Sequence, residues 1–206
     1  MLLFPGKMGQ NEWKRLLRNQ VAEEKRRHGA EELRRWSLLA LKELEQFPLF
    51  VLAQVVLLYY SLPDEVQTHD FVRKWSRSKK ILLPAVAGDG LQLRCYASDE
   101  EMVTGTYHIG EPSGAVFTDY GTIDLAVVPG VAFDAEGCRL GRGKGYYDRL
   151  LPLLEAYKIG LCYSFQVAES VPSELHDVRM DKVLTEKGFL SSEHDVRDDS
   201  GTHVTV

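Results

Sequence analysis

Cysteine is scarce in this 206-residue chain: Cys95, Cys138 and Cys162 are odd in number, widely spaced and form no C-x-x-C pair. That argues against a disulfide framework and against a zinc site, and a reducing, cytoplasmic setting is the expectation. Long apolar runs are missing too. The longest, from Phe47 to Tyr60, is broken by Pro48 and Gln54 and falls short of a bilayer span. The opening MLLFPGKMGQNEWKR has too short an apolar run for a signal peptide and no small-residue cleavage pattern, so neither export nor membrane insertion is expected. Nor is there an excess of positive charge. Twenty-five Lys and Arg against 30 Asp and Glu give a net charge of -5, which argues against a dedicated nucleic-acid binder. Internal repeats and interdomain linkers are also absent. With 44% hydrophobic residues the chain can bury one sizeable core, so a single domain over residues 1–192 is expected. Residues 193–206 form an acidic, mostly polar tail that should be disordered.

What is present alternates. From Asn11 to about His28, Trp13, Leu16, Leu17 and Val21 recur with helical spacing, while Lys14, Arg15 and Arg18 occupy other faces. A second helix is expected from Ala30 to Gln46. Val51 to Tyr60, rich in Val, Leu and Tyr, reads as a buried strand ending at the turn signal Ser61-Leu62-Pro63-Asp64. A helix capped by Thr68 or Asp70 and presenting Phe71, Val72 and Trp75 should follow. Strands are then expected from Lys80 to Val86 and from Leu91 to Ala97, a loop around Gly105 to Gly114, and a strand from Ile123 to Val128. A helix from Tyr146 toward Ala156, limited by Pro152, and a final strand from Ile159 to Tyr163 complete the pattern. This alternation predicts an α/β fold of three layers, with a mainly parallel sheet flanked by helices. Ligands of such sheets bind beyond the carboxyl ends of the strands, where the loops after Tyr60 and Val128 fall.

The second of those loops is VPGVAFDAEGCRLGRGKGYYDR, from Val128 to Arg149. Gly141, Gly143 and Gly145 alternate with Arg142 and Lys144, so backbone amides can approach a polyphosphate while the intervening side chains supply positive charge. Asp148 adds an oxygen ligand for magnesium. The string is not a Walker loop, because five residues separate Gly137 from Gly143 and Gly145 follows Lys144. It is not the dinucleotide fingerprint either, since Tyr146 stands where the last glycine should be.

The string instead resembles the signature of the 5-formyltetrahydrofolate cyclo-ligase family. Pro129, Gly130, Phe133, Asp134, Gly137, Arg139, Leu140, Gly141, Gly143, Gly145, Tyr146, Tyr147 and Asp148 carry the likeness, and HDVRMDKVLTEKG adds an independent match through His176, Asp177, Asp181, Thr185 and Glu186. The resemblance spans about Lys14 to Glu186. It implies ATP- and magnesium-dependent cyclisation of 5-formyltetrahydrofolate, polyglutamylated or not, to 5,10-methenyltetrahydrofolate by a monomer. Read alone, Lys14 and Arg18 are a basic helix face; the resemblance implies that they contact ATP together with Arg139, Leu140, Gly141, Arg142, Gly143, Lys144, Gly145, Tyr146 and Tyr147. It assigns folate to Tyr60, Glu65 and Tyr107, with Arg142, Gly143, Lys144, Gly145 and Tyr146 forming the shared wall. Asp64 is the rival of Glu65. Asp181 would join Asp148 on magnesium, and Arg142 and Lys144 would be the catalytic cations. His108, a single loop histidine, and Cys138 are expected to be bystanders. Two rivals remain: a small-molecule kinase using the same loop and metal, separable by whether free phosphate and a cyclised product are released, and a non-catalytic module for nucleic acid or phosphorylated ligands using the basic helix and loop, against which the acidic total charge and the paired carboxylates count.

Overall fold

The structure is a computed structural model that describes residues 9–105, 110–174 and 177–191. Two helices open it. Helix α1 (Gln10–Lys25) buries Leu17 and Val21, and α2 (Ala30–Gln46) buries Leu33, Ala40, Leu41 and Leu44 at the spacing of one helical face. The apolar run that follows is not one strand. Pro48 at the first helical position, with its ring fixing φ, starts the short helix α3 (Pro48–Leu52), and only Val55–Leu57 pair as β1. Phe50 turns fully inward, whereas Val51 and Leu52 are 55% and 72% exposed.

The sheet order is β11-β10-β9-β6-β1-β2-β3, with β2 (Lys80–Ala87), β3 (Gly90–Cys95), β6 (Leu125–Pro129), β9 (Tyr157–Leu161), β10 (Lys182–Thr185) and β11 (Gly188–Phe189). The five strands from β10 to β2 run parallel; β3 and β11 close the edges antiparallel. Helix α4 (His69–Trp75) lies in the crossover from β1 to β2, and α5 (Tyr146–Leu150) in that from β6 to β9. Along β6, Leu125 and Val127 pack with α2, α3 and α4, while Ala126 and Val128 pack with Leu150, Leu151 and Leu154 behind the other face. Three layers result, and the run of buried residues along β6 is what a parallel strand covered on both sides requires.

Three expected boundaries are corrected. Part of the segment from Gly105 to Gly114 pairs, since β4 (Met102–Thr104) and β5 (Gly110–Pro112) form an antiparallel ladder. The helix after the glycine loop gives way at Leu151–Leu153 to a 3-10 turn containing Pro152, whose missing N–H and ring geometry oppose a longer α-helix. The strand near Ile159 is not the last, because Lys182–Thr185 adds β10 beside it. No helix among the described residues is long and apolar enough to cross a membrane. The expected disordered tail lies outside the described residues.

Candidate active site

From β1 the chain winds one way to β2, and from β6 the other way to β9 and β10, so the switch point lies between β1 and β6. A cavity of about 400 Å³ opens beyond the carboxyl ends of these two strands. Tyr59, Tyr60, Leu62 and Glu65 line it after β1, and Pro129, Gly130 and the segment from Arg139 to Asp148 after β6, with Leu140 tucked behind. Pro84, Val86 and Leu91 of the β2–β3 hairpin give it an apolar wall. A flat ring and a charged chain can therefore be held in one space.

Local geometry explains the glycines. Gly143 (φ 92°) and Gly145 (φ 67°) are left-handed, and Gly145 is the residue from which α5 starts. The preceding hairpin, β7 (Ala132–Phe133) with β8 (Arg139–Leu140), turns on Gly137 (φ 78°), where a Cβ would collide with the Met180 carbonyl. Buried Asp134 fixes that turn. Its Oδ1 accepts from Glu136 N and Cys138 N at 3.1 and 2.9 Å, and its Oδ2 from Val171 N at 2.8 Å.

The cations differ in their engagements. Arg18 Nε donates to the Gly141 carbonyl at 3.0 Å, holding the glycine loop against α1, and burial pulls its pKa down against the raising influence of Asp148. Lys14 instead pairs with Glu174 at 3.1 Å and does not line the cavity. Arg139 is clamped to Asp148 and lies over the Tyr147 ring, 5.4 Å from its centroid. Burial pushes the Tyr147 phenol far up, so it stays neutral. The Lys144 side chain has no hydrogen-bond partner or salt bridge among the described residues, although its carbonyl accepts from Arg149 at 3.0 Å.

Arg142 bridges the two sides. Its Nη2 lies 2.6 Å from Asp64 Oδ1 and 3.1 Å from Glu65 Oε1, and its Nε donates to the same Glu65 oxygen at 3.3 Å. The other Glu65 oxygen accepts from Leu62 N at 3.0 Å. Lys25, at the end of α1, reaches Asp64 Oδ2 at 3.0 Å. Burial alone would raise the Asp64 carboxyl, but Lys25 and Arg142 outweigh it and hold it below its ordinary pKa. Burial likewise opposes the Arg142 charge, and Glu65 and Asp64 more than restore it. Lys25 was not anticipated from sequence. Its spacing from Lys14 and Arg18 puts all three on one face of α1, a signal legible in the sequence.

Tyr60 stacks on His69 with centroids 3.8 Å apart, and its hydroxyl is 3.4 Å from Asp99. Tyr107 and His108, like His176, lie outside the described residues. The expected pairing of Asp148 with Asp181 on one ion is corrected by topology. Asp148 faces the cavity beyond the carboxyl end of β6, whereas Asp181 precedes β10 at the opposite, amino-terminal edge of the sheet. There its Oδ2 accepts from Lys158 N at 2.6 Å, tying β10 to β9. No cluster of three metal-ligating side chains exists among the described residues. Asp148, 46% exposed, retains room for an ion that shares its shell with phosphate and water, as magnesium does. Cys138 is buried, its thiol pKa raised by burial.

Residues 10–186 match the model of the 5-formyltetrahydrofolate cyclo-ligase family. The chain belongs to that family. A cyclo-ligase from Mus musculus is 30% identical over 192 residues, covering 85% of this chain and 95% of the relative. One from Escherichia coli K12 is 31% identical over 156 residues, covering 71% and 85%. The solution structure of Aquifex aeolicus 5,10-methenyltetrahydrofolate synthetase superposes with a TM-score of 0.79 at 34% identity, covering 94% of this chain and 96% of that one. Cyclo-ligase membership makes the chain an ATP-dependent ligase of folate one-carbon metabolism.

Proposed function

We propose that this cyclo-ligase closes 5-formyltetrahydrofolate to 5,10-methenyltetrahydrofolate in the cavity between β1 and β6, at the cost of one ATP. The observation that carries the reading is the meeting there of a glycine-rich cationic loop with the Tyr60–Glu65 turn and an apolar wall. The formyl oxygen is amide-like and leaves poorly. It attacks the γ-phosphorus and ADP departs; the second folate nitrogen then attacks the activated carbon, sheds its proton, and the carbon–oxygen bond breaks to release phosphate.

The chain contributes position and charge. Backbone amides of the segment from Gly141 to Gly145 cradle the polyphosphate, with Arg18 holding that segment through the Gly141 carbonyl and Arg139, paired with Asp148, lining the same wall. Lys144 and Arg142 follow the charge that develops on the transferred group. Glu65 accepts from adjacent N–H donors of the pterin, whose ring lies against Tyr60. Lys14 acts at the outer margin on α1. Asp148 is the protein ligand for magnesium, which when bound neutralises phosphate charge.

The test mixes protein, magnesium, ATP and 5-formyltetrahydrofolate and follows the methenyl chromophore. Activity should require all three small molecules, and substrate carrying heavy oxygen on the formyl group should deliver the label to phosphate. Product formed equally fast without ATP, or unlabelled phosphate once solvent exchange is excluded, overturns the route.

A further inference from the structure

The turn that follows β9 touches neither substrate space, yet it is bonded to both walls of the cavity. Tyr163, 1% exposed, donates its hydroxyl to the Glu65 carbonyl at 3.0 Å, and Ser37 Oγ lies 2.9 Å from the same hydroxyl. Ser37 in turn accepts from Gln67 N at 3.0 Å, so the turn bearing Glu65 is held at two backbone points by one buried hydroxyl pair. Three residues later, Gln166 is 3% exposed and donates its amide to both the Gly130 and Val131 carbonyls at 3.0 Å. Its own oxygen accepts from Tyr163 N at 2.9 Å, and its N–H donates to the Tyr163 carbonyl at 2.9 Å. The turn is anchored to the sheet because Ser164 N donates to Glu186 at 2.8 Å.

We propose that Tyr163 and Gln166 are positioning residues that set the separation of the folate-side Glu65 from the nucleotide-side wall at Gly130 and Val131, which the 2.7 Å bond from Val131 N to the Leu140 carbonyl ties to the glycine loop. Both hydrogen-bond sets start from one closed 3-10 turn, so neither loop can shift without straining or breaking buried bonds. Buried polar groups left unpaired are costly, which makes the joint stiff. Because the formyl oxygen and the γ-phosphorus must meet at near-contact distance, a small slip between the walls is felt in the rate. This inference rests on the assignment of Glu65 to folate and of the glycine loop to ATP.

The test is Tyr163→Phe and Gln166→Met, read by steady-state kinetics for each substrate and by amide hydrogen exchange. Tyr163→Phe should raise KM for 5-formyltetrahydrofolate by about three- to tenfold while KM for ATP stays within about twofold, as expected for one hydrogen bond. Gln166→Met should act chiefly on ATP and kcat. In a Glu65→Gln background, Tyr163→Phe should add little, because it acts through Glu65. Faster exchange around Glu65 or Val131 with both KM values and kcat unchanged would show a merely structural joint and overturn the proposal, as would full additivity with Glu65→Gln. If each variant instead moved the other substrate's KM, the positioning role would stand and the ligand assignment of the two walls would fall.

Discussion

The two ends of the sheet use carboxylates in opposite ways. At the amino-terminal edge, Asp124 Oδ2 accepts from Gln54 N and Val55 N at 2.8 and 2.9 Å, and Asp181 accepts from Lys158 N. These are strand-to-strand ties between side chain and backbone. At the carboxyl-terminal edge, Asp64, Glu65 and Asp148 meet the guanidinium groups of Arg142 and Arg139. A backbone N–H has no alternative place to go, whereas a guanidinium on a glycine-rich loop can exchange one anion for another. The first edge is built to stay; the second is built to trade partners.

That contrast can be broken from its catalytic side most forcefully. Lys144→Met should lower kcat by about 10²- to 10³-fold with the thermal midpoint unchanged, because the ammonium supports no other part of the fold. A loss below tenfold would remove Lys144 from the transition state. Next in size, Asp148→Asn should cost at least the roughly tenfold typical of weakened metal sites and raise the magnesium needed for half-maximal rate. Asp181→Ala, its counterpart at the other edge, should leave the magnesium dependence alone and remove about 1 kcal/mol of stability in denaturant melts. A magnesium shift in Asp181→Ala and none in Asp148→Asn would invert the comparison.

The smallest expected effect is in alkali. Burial, together with Asp64, Glu186 and Glu65, pushes the Tyr163 phenol up to about 12, against the lowering influence of Ser37. A group whose folded pKa is raised stabilises the fold fully below its unfolded value near 10, and that contribution is lost as pH rises from about 10 through about 12. Melts of Tyr163→Phe across this window should show a shallower alkaline decline than the parent; an identical slope would mean that the phenol titrates as it does in the unfolded chain.

The glycine loop, the two carboxyl-end crossings and the Ala30–Gln46 helix were legible because each has a local cause: alternating glycines, β-rich runs ending at turn residues, and one apolar helical face. The split of Phe47 to Tyr60 was not, because Pro48 opens a helix or a strand equally well, and a short helix and a short strand within one largely apolar run differ chiefly in which side chains find the core. Phe50 does; Val51 and Leu52 do not. Asp181 could not be separated from Asp148 by residue type, since which edge of the sheet a carboxylate occupies is decided by topology. The Tyr163–Gln166 joint was invisible for the same reason, its partners lying 98 and 36 residues away along the chain.

The Arg142 bridge also makes the two substrates accomplices. On the proposed reading, the guanidinium is bonded to the Glu65 oxygen that the pterin takes, and Glu65 and Asp64 restrain the cation that the phosphate takes. Whichever ligand arrives first must break this contact, so its apparent affinity is reduced by the share of molecules still bridged. The second arrives to find its partner already released. By thermodynamic reciprocity, ATP should tighten folate binding by the same factor by which folate tightens ATP, and Arg142→Ala should abolish that part of the coupling.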